Sequence, residues 1–143
     1  MKLLAKAIFV ASEAFKDKLD KGGKPYILHC LHVMNEVAHL GEVAMICAVL
    51  HDIVEDCEKN GYTFDYLREQ GFYQEIITIL ELLTHREETP YMDYIKALSV
   101  HHIAKEIKKK DLKHNSDITR MKDIRKKDFD RLEKYFIAYK YLS

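Results

Sequence analysis

The stretch Leu50-His51-Asp52-Ile53-Val54-Glu55-Asp56 places one imidazole and three carboxylates within six consecutive residues of an otherwise apolar run. On a helix each residue turns about 100° from the previous one, so all four polar side chains lie within about 140° of one another. The opposite arc is apolar and consists of Ile46, Cys47, Leu50, Ile53 and Val54. Carboxylates crowded on one face repel one another unless a cation or a shared proton relieves them. The stretch therefore predicts a helix over residues 42–58 with one buried side and one side that carries a metal site.

The length and composition predict one globular domain spanning residues 1–143, because 48% of the residues are hydrophobic and 32% are charged. The 23 basic and 23 acidic residues cancel, which excludes the global basic field of a protein that binds nucleic acid polymers. No apolar run reaches the roughly 18 residues that a membrane span needs, so a membrane is not an expected partner either. A cytoplasmic protein is the default expectation, and an oligomer stays open.

The three cysteines, Cys30, Cys47 and Cys57, are odd in number and form no CxxC pair. All of them lie in or at the end of helical patterns. We therefore expect buried, reduced thiols rather than a redox site.

The apolar periodicity predicts an all-α helical bundle of roughly seven helices, since no segment alternates convincingly with a period of two. Apolar residues recur at helical spacing over residues 3–19, 25–40, 42–58, 64–70, 73–84, 90–99, 101–119 and 128–142. Thr63 and Thr89 are the expected N-caps of the fourth and sixth of these segments.

Polar residues also fall on the buried stripes of two other predicted helices: His29 on the second, and Asp111 and Asn115 on the helix over 101–119. A buried carboxylate needs a partner, because an unpaired buried charge is very costly. Together with His51 and Asp52 these residues predict a mixed nitrogen and oxygen site for a divalent ion. Such a donor set suits Mn, Fe or Zn, with Ni and Mg as further candidates. A bound ion would lower the pKa of a coordinated water and stabilise charge on a phosphoryl group.

Each of these residues also has an ordinary structural explanation. His29 alone would more often be a satisfied core histidine, Asp111 could pair with one of the many lysines, and Glu55 and Asp56 could form a solvated helix face. All three explanations would have to hold at once, so the joint pattern favours a metal site.

Three segments carry a resemblance to a known family: Gly23-Lys24-Pro25-Tyr26-Ile27-Leu28-His29, the stretch Leu50–Asp56, and Asp111-Leu112-Lys113-His114-Asn115. Their order and spacing resemble the H…HD…D signature of the HD-domain metal-dependent phosphohydrolases. More closely, they resemble the hydrolase domain of the RelA/SpoT-type alarmone enzymes, over most of the chain up to about residue 121. The resemblance implies an HD-type helical bundle.

What this resemblance implies for the site can be stated residue by residue. The implied metal ligands are His29, His51, Asp52 and Asp111, and the implied ion is manganese. Glu55 and Asp56 match the acidic pair that positions and activates the attacking water. The implied reaction removes pyrophosphate from the 3′ position of ppGpp or pppGpp. No synthetase domain fits in the remaining length, so a hydrolase without synthetase activity is implied.

The implied partner is a small nucleotide substrate. Asn115 matches an asparagine that contacts the ribose of the nucleotide, and Tyr26 belongs to the first motif and is a further expected substrate contact. Lys21 and Lys24, near the expected mouth of the site, are cations that can meet the pyrophosphate or the base.

The chain departs from the family pattern at Asp20, where close relatives usually carry an arginine that packs against the guanine. An acidic side chain cannot supply a guanidinium stacking surface. Lys21, next to it, matches a basic position that the family also uses. The run Ser116-Asp117-Ile118-Thr119-Arg120 also replaces a shorter Met-Arg-Thr run. Two alternatives to an alarmone hydrolase therefore stay open: an HD phosphohydrolase acting on another nucleotide or phosphoester, and a non-catalytic regulatory helical module.

Overall fold

The computed structural model describes residues 2–143, and within that range the chain folds as an all-α bundle, as predicted. Its nine α-helices are α1 (Leu3–Ala14), α2 (Ile27–Glu36), α3 (Glu42–Val49), α4 (Ile53–Cys57), α5 (Phe64–Glu69), α6 (Gln74–Leu83), α7 (Tyr91–Leu98), α8 (His102–Asn115) and α9 (Lys126–Leu142). Short 3₁₀ turns cover Ala38–Leu40, Glu58–Asn60 and Ile118–Arg120. These helices confirm the predicted all-α bundle, and one of the predicted helices is divided into two.

The predicted continuous helix over residues 42–58 was wrong, since the chain leaves helical geometry between Val49 and Ile53. The backbone of Asp52 has φ −101° and ψ 0°, outside the helical well. The imidazole of His51 explains the break, because its Nδ1 donates to the carbonyl oxygen of Ala48 at 2.6 Å. A side chain that donates to a backbone carbonyl competes with the backbone N–H that would bond to the same carbonyl in a helix. The two motif residues His51 and Asp52 thus lie in a turn at the end of α3.

Helix α3 forms the centre of the bundle and packs against α1, α2, α6 and α8. Its residues Ala44, Ile46, Cys47, Ala48 and Val49 are all buried, on every side of the helix. A helix that is apolar all round belongs inside a protein. The turn at its C-terminal end therefore carries His51 into the middle of the molecule, where α2 and α8 also pass.

Other predicted helix ends shift in the structure. Helix α1 ends at Ala14 rather than at residue 19, and α8 ends at Asn115 rather than at residue 119. Thr63 caps α5 as predicted, with its hydroxyl accepting from the backbone N–H of Tyr66 at 3.1 Å. The prediction that Thr89 is an N-cap was wrong, because Pro90 occupies the N-cap position of α7.

The three cysteines are buried free thiols, which confirms the prediction made for them. Burial raises the pKa of Cys47, so this thiol is protonated at neutral pH. Among residues 2–143 no helix combines the length and the apolar character that crossing a membrane requires.

Candidate metal centre and its pocket

Four side chains from three parts of the fold converge below the end of α3: His29 from α2, His51 and Asp52 from the turn, and Asp111 from α8. One ligand atom from each lies within 4.8 Å of the corresponding atom of every other. The Nε2 atom of His51 lies 3.0 Å from Oδ2 of Asp52 and 3.2 Å from Oδ1 of Asp111. The Nε2 atom of His29 lies 3.0 Å from the same Asp111 oxygen. Two nitrogen and two oxygen donors at this spacing fit a divalent transition metal.

The orientation of each histidine ring is set by its second nitrogen. Because Nδ1 of His51 donates to a carbonyl, its Nε2 faces the cluster with a lone pair in the neutral ring. The Nδ1 atom of His29 lies 2.7 Å from Nδ1 of His114, and the two rings stack 5.0 Å apart. These outer contacts hold both ligating nitrogens toward the two carboxylates, as metal-ligating histidines require.

Asp111 contacts most of the polar side chains of the cluster. Its Oδ1 accepts from the Nδ2 amide of Asn115 at 2.9 Å as well as facing the two histidines, and its Oδ2 accepts from Lys108 at 2.9 Å. Sequence reasoning did not single out Lys108, although its position three residues before Asp111 on a helix indicates that the two can meet. The structural alternative, in which Asp111 pairs with a lysine, thus holds together with the metal-site geometry.

The charges of the cluster support one another. Burial raises the pKa of Asp52, but the neighbouring His51 outweighs that effect and lowers it to about 2. Burial also raises the pKa of Asp111, and Lys108 and His51 hold it well below its usual range. Burial lowers the pKa of His51, and the two carboxylates bring it well above its usual range. Both aspartates are therefore ionised at neutral pH, which is the form that binds a cation.

The predicted acidic pair divides between two surroundings. Asp56 lines the pocket above the cluster, and its Oδ2 accepts from Nζ of Lys18 at 2.7 Å. Glu55 points toward the connection after α6, where its Oε1 accepts from the backbone N–H of His85 at 2.8 Å. Burial raises the pKa of both carboxyl groups, with Asp52 as a further cause. Lys18 was not predicted, and its place in a turn after α1 gave no periodic signal.

A pocket of about 370 Å³ opens above the cluster, within the size range of small-molecule sites. Tyr26, Asn115 and Lys21 line it, as expected of substrate contacts. The hydroxyl of Tyr26 donates a short hydrogen bond to Oδ2 of Asp52, so this side chain also holds a ligand in place. Lys24 is exposed and lies outside the pocket lining, so the structure does not bring it to the site with the others.

Asp20 stands where the family pattern has an arginine, and a different arginine, Arg120, lies beside it. Asp20 lies at the rim of the pocket, and Nη2 of Arg120 donates to its Oδ2 at 3.3 Å. The two residues are a hundred positions apart in the chain, and the longer run after Asn115 brings Arg120 there. Both departures from the family pattern are visible in the sequence, but nothing in the sequence indicates that Asp20 and Arg120 are in contact.

Sequence comparison places this chain beside RelA/SpoT-type enzymes, although no family model matches it. It is 38% identical over 72 residues to a probable GTP pyrophosphokinase of Mycobacterium leprae, which is 49% of this chain and 9% of the relative. It is 35% identical over 63 residues to a guanosine-3′,5′-bis(diphosphate) 3′-pyrophosphohydrolase of Haemophilus influenzae, which is 43% of this chain and 9% of the relative. It is 40% identical over 58 residues to the bifunctional (p)ppGpp synthase/hydrolase RelA of Mycobacterium tuberculosis, which is 39% of this chain and 8% of the relative. The matched segments thus span under a tenth of each of these relatives.

Structural comparison covers far more of the chain. A solved structure of a metazoan ortholog of SpoT, which hydrolyses ppGpp, superposes with a TM-score of 0.74 over 99% of this chain and 84% of that protein, at 19% identity. At that identity the likeness shows the fold. Together the comparisons confirm the resemblance that the three motifs predicted: this chain has the fold of a SpoT-type hydrolase and matches RelA/SpoT-type enzymes in local sequence.

Proposed function

We propose that residues 1–143 form one hydrolase domain that removes pyrophosphate from the 3′ position of guanosine alarmones such as ppGpp and pppGpp. The observation that carries the proposal is the convergence of His29, His51, Asp52 and Asp111, of which the two aspartates line a pocket, in a fold similar to that of a ppGpp hydrolase. The similarity of the chain to a 3′-pyrophosphohydrolase over 63 residues supports the same substrate class.

These four side chains fit a divalent ion by donor type, spacing and charge. We propose manganese as the ion because the resemblance to the alarmone hydrolases implies it. When bound, such an ion supplies Lewis-acid stabilisation of phosphoryl oxygens and a water of lowered pKa. For binding the ion the protein provides two ionised aspartates and two imidazole nitrogens of fixed orientation. The outer partners Ala48, His114 and Tyr26 keep these donors oriented, and such partners contribute strongly to metal affinity.

The acidic pair would take up the proton of the attacking water. Both Glu55 and Asp56 have pKa values raised by burial, which makes each a stronger base than a free carboxylate. Lys18 fixes Asp56 at the pocket wall, and the backbone of His85 fixes Glu55. In this proposal the water oxygen bonds to the phosphorus next to the ribose, the bond from that phosphorus to the 3′ oxygen breaks, and the 3′ oxygen leaves as a hydroxyl by taking up a proton.

The pocket wall would hold the nucleotide. The Nδ2 group of Asn115 is bound to Asp111, which places this amide beside the metal ligands, where a ribose has to lie for its 3′ oxygen to react. Lys21 and Lys18 line the pocket as cations and would meet phosphate oxygens. The expected partner is therefore a small nucleotide.

A second candidate is an HD phosphohydrolase of the same mechanism that acts on another nucleotide or phosphoester. Asp20 supports this second candidate, because Asp20 stands where relatives usually carry an arginine that stacks on the base. A non-catalytic module is a weaker candidate, since it has no physical use for the crowded pair of Glu55 and Asp56.

A substrate panel separates these functions. The purified protein with Mn²⁺ is incubated with ppGpp, pppGpp, GTP, ATP and deoxynucleoside monophosphates, and products are resolved by anion exchange. We expect pyrophosphate release from the two alarmones only. Turnover confined to the monophosphates would favour the second candidate, and the lack of any turnover together with unchanged thermal stability on adding Mn²⁺ would favour the module.

A further inference from the structure

Two loops from opposite ends of the chain form one wall of the pocket. The Asp20 loop (residues 19–25) lies against the Arg120 loop (residues 116–122). A Cβ atom added at Gly22 would overlap the carbonyl oxygen of Arg120, so the two backbones touch there. At Gly23, whose φ is +82°, an added Cβ would lie 2.8 Å from Nζ of Lys122. The position of Arg120 relative to the Asp20 loop is thus fixed by backbone contact as well as by charge.

Asp20 is held by its own loop and presents one oxygen to Arg120. Its Oδ1 accepts from the backbone N–H groups of Gly22 and Lys24, each at 2.9 Å. Its Oδ2 accepts from Nη2 of Arg120. Burial alone would raise the pKa of Asp20, but the two backbone donors and Arg120 bring it below its usual value. Asp20 is therefore ionised at neutral pH and offers a rigid anchor.

Arg120 is fixed from three sides but not saturated. Its Nη1 donates to the carbonyl oxygen of His114 at 2.7 Å and to Oδ1 of Asn115 at 3.4 Å. With the contact to Asp20, these bonds use three of the five N–H groups of the guanidinium. In the part of the chain that the structure describes, the other two have no protein acceptor. Arg120 lines the pocket and keeps 22% of its side chain exposed, so these donors are available to a ligand.

The charge balance at this corner indicates which ligand group fits. Arg120 and Asp20 together carry no net charge, so the pair attracts a phosphate less strongly than a free arginine would. The planar fork still offers N–H donors in a fixed direction. A pair of neutral acceptors on one rigid edge suits such a fork, and the O6 and N7 atoms of guanine are such a pair. Adenine presents a donor in place of O6 and would leave one N–H group unsatisfied.

We propose that Arg120 is the guanine-selecting residue of this pocket and that Asp20 is its positioning residue. This inference rests on the proposed function only in placing a nucleotide in this pocket. Arg120 also contacts Oδ1 of Asn115, whose Nδ2 is bound to Asp111. The side chain that selects the base thereby orients the amide beside the metal ligands. The pocket therefore still has an arginine at its rim, because Asp20 holds Arg120 from the other loop there.

The test measures dissociation constants by calorimetry for GDP, ADP and pyrophosphate, with Mn²⁺ present, in the wild type and in R120K, R120M and D20N. The control is R68M, because Arg68 also pairs with carboxylates, those of Asp65 and Glu81, but lies outside the pocket lining. The Mn²⁺ affinity of each variant reports whether the metal centre is intact. We expect the wild type to bind GDP at least about tenfold more tightly than ADP.

In R120K and R120M this preference should fall to within about twofold, because neither side chain has a guanidinium fork. R120K should keep its pyrophosphate affinity, since the positive charge remains. D20N should lower the GDP preference while strengthening pyrophosphate binding, because the corner gains a net positive charge. A purely structural role for Asp20 would weaken all three ligands together. R68M should match the wild type.

The inference is wrong if R120K keeps the wild-type ratio of GDP to ADP affinity, or if pyrophosphate and GDP weaken by the same factor in R120K. Hydrolysis of ppGpp is measured separately on the wild type. Turnover of ppGpp with an unchanged base preference in R120K would refute this inference alone. Base selection through Arg120 without ppGpp turnover would refute the proposed reaction alone.

Discussion

Removing the carboxylate of Asp111 should destabilise the protein strongly even without metal, because the buried Asp111 is the carboxylate partner of Lys108, whose side chain is largely buried. The Lys108 side chain is only 13% exposed, and its Nζ lies 2.9 Å from Oδ2 of Asp111. Breaking a buried pair by removing one partner costs about 3–5 kcal/mol. The Nζ atom also lies 5.4 Å from the ring centre of Tyr94, which partly stabilises an unpaired ammonium. We therefore expect Asp111→Ala to lower the free energy of unfolding by about 3 kcal/mol.

The assay is urea unfolding in EDTA, with Lys108→Met and the double variant measured alongside. Lys108→Met should cost less, about 1–2 kcal/mol, because Asp111 keeps three other polar neighbours. The double variant leaves no unpaired charge, so its cost should fall below the sum of the single costs by about 2 kcal/mol. Lys109→Met is the matched control, since Lys109 approaches Glu106 at 3.8 Å and the ring centre of Tyr139 at 5.8 Å near the surface and should change stability by under about 1 kcal/mol. Strict additivity of the two single costs would refute the pairing argument.

Three further variants test the site. Asp52→Ala should abolish Mn²⁺ binding in calorimetry together with turnover, since it removes one of four ligands and the acceptor of Tyr26; retained Mn²⁺ affinity would remove Asp52 from the ligand set. Glu55→Gln should keep Mn²⁺ and lose turnover, and near-normal rates would exclude Glu55 from water activation. In metal-free protein the same variant should raise the melting temperature at pH 7, because a raised carboxyl pKa means that ionisation disfavours the folded state. That gain should vanish as the pH falls through the raised pKa and below about 4.5, where the glutamate is protonated in both states; a gain that persists at low pH would point to another cause. Gly22→Ala should cost about 1–3 kcal/mol in urea unfolding, because its Cβ meets a backbone carbonyl that cannot move aside, and an unchanged stability would show that the two loops are not in contact.

The all-α fold and the burial of His29 and Asp111 follow from periodicity, since both residues fall on apolar stripes that have to face the core. What periodicity did not predict is the turn at His51. The helical wheel placed four polar residues on one face of a continuous helix, but only His51 and Asp52, which the turn keeps together, share the cluster with His29. The hydrogen bond from Nδ1 of His51 to a backbone carbonyl is a local competition that hydrophobic spacing does not encode.

The charged neighbours of the site show a sharper limit. Lys108 lies one helical turn before Asp111, and a search for helical charge pairs would have found it. Lys18 and Arg120 reach the site from irregular segments, where no period relates sequence distance to spatial distance. The contact between Asp20 and Arg120 depends on how two loops meet in the folded chain, so a departure from the family pattern at one position gave no indication of the residue that accompanies it.

The central claim is metal-dependent removal of the 3′-pyrophosphate, and one isotope measurement tests it most directly. The wild type is incubated with ppGpp and Mn²⁺ in ¹⁸O-labelled water, and the products are followed by ³¹P NMR. We predict equal amounts of GDP and pyrophosphate, with the label in pyrophosphate and none in GDP, and no reaction in EDTA or with Asp52→Ala. Intact ppGpp in the presence of Mn²⁺, or label found in GDP, would contradict the proposed reaction.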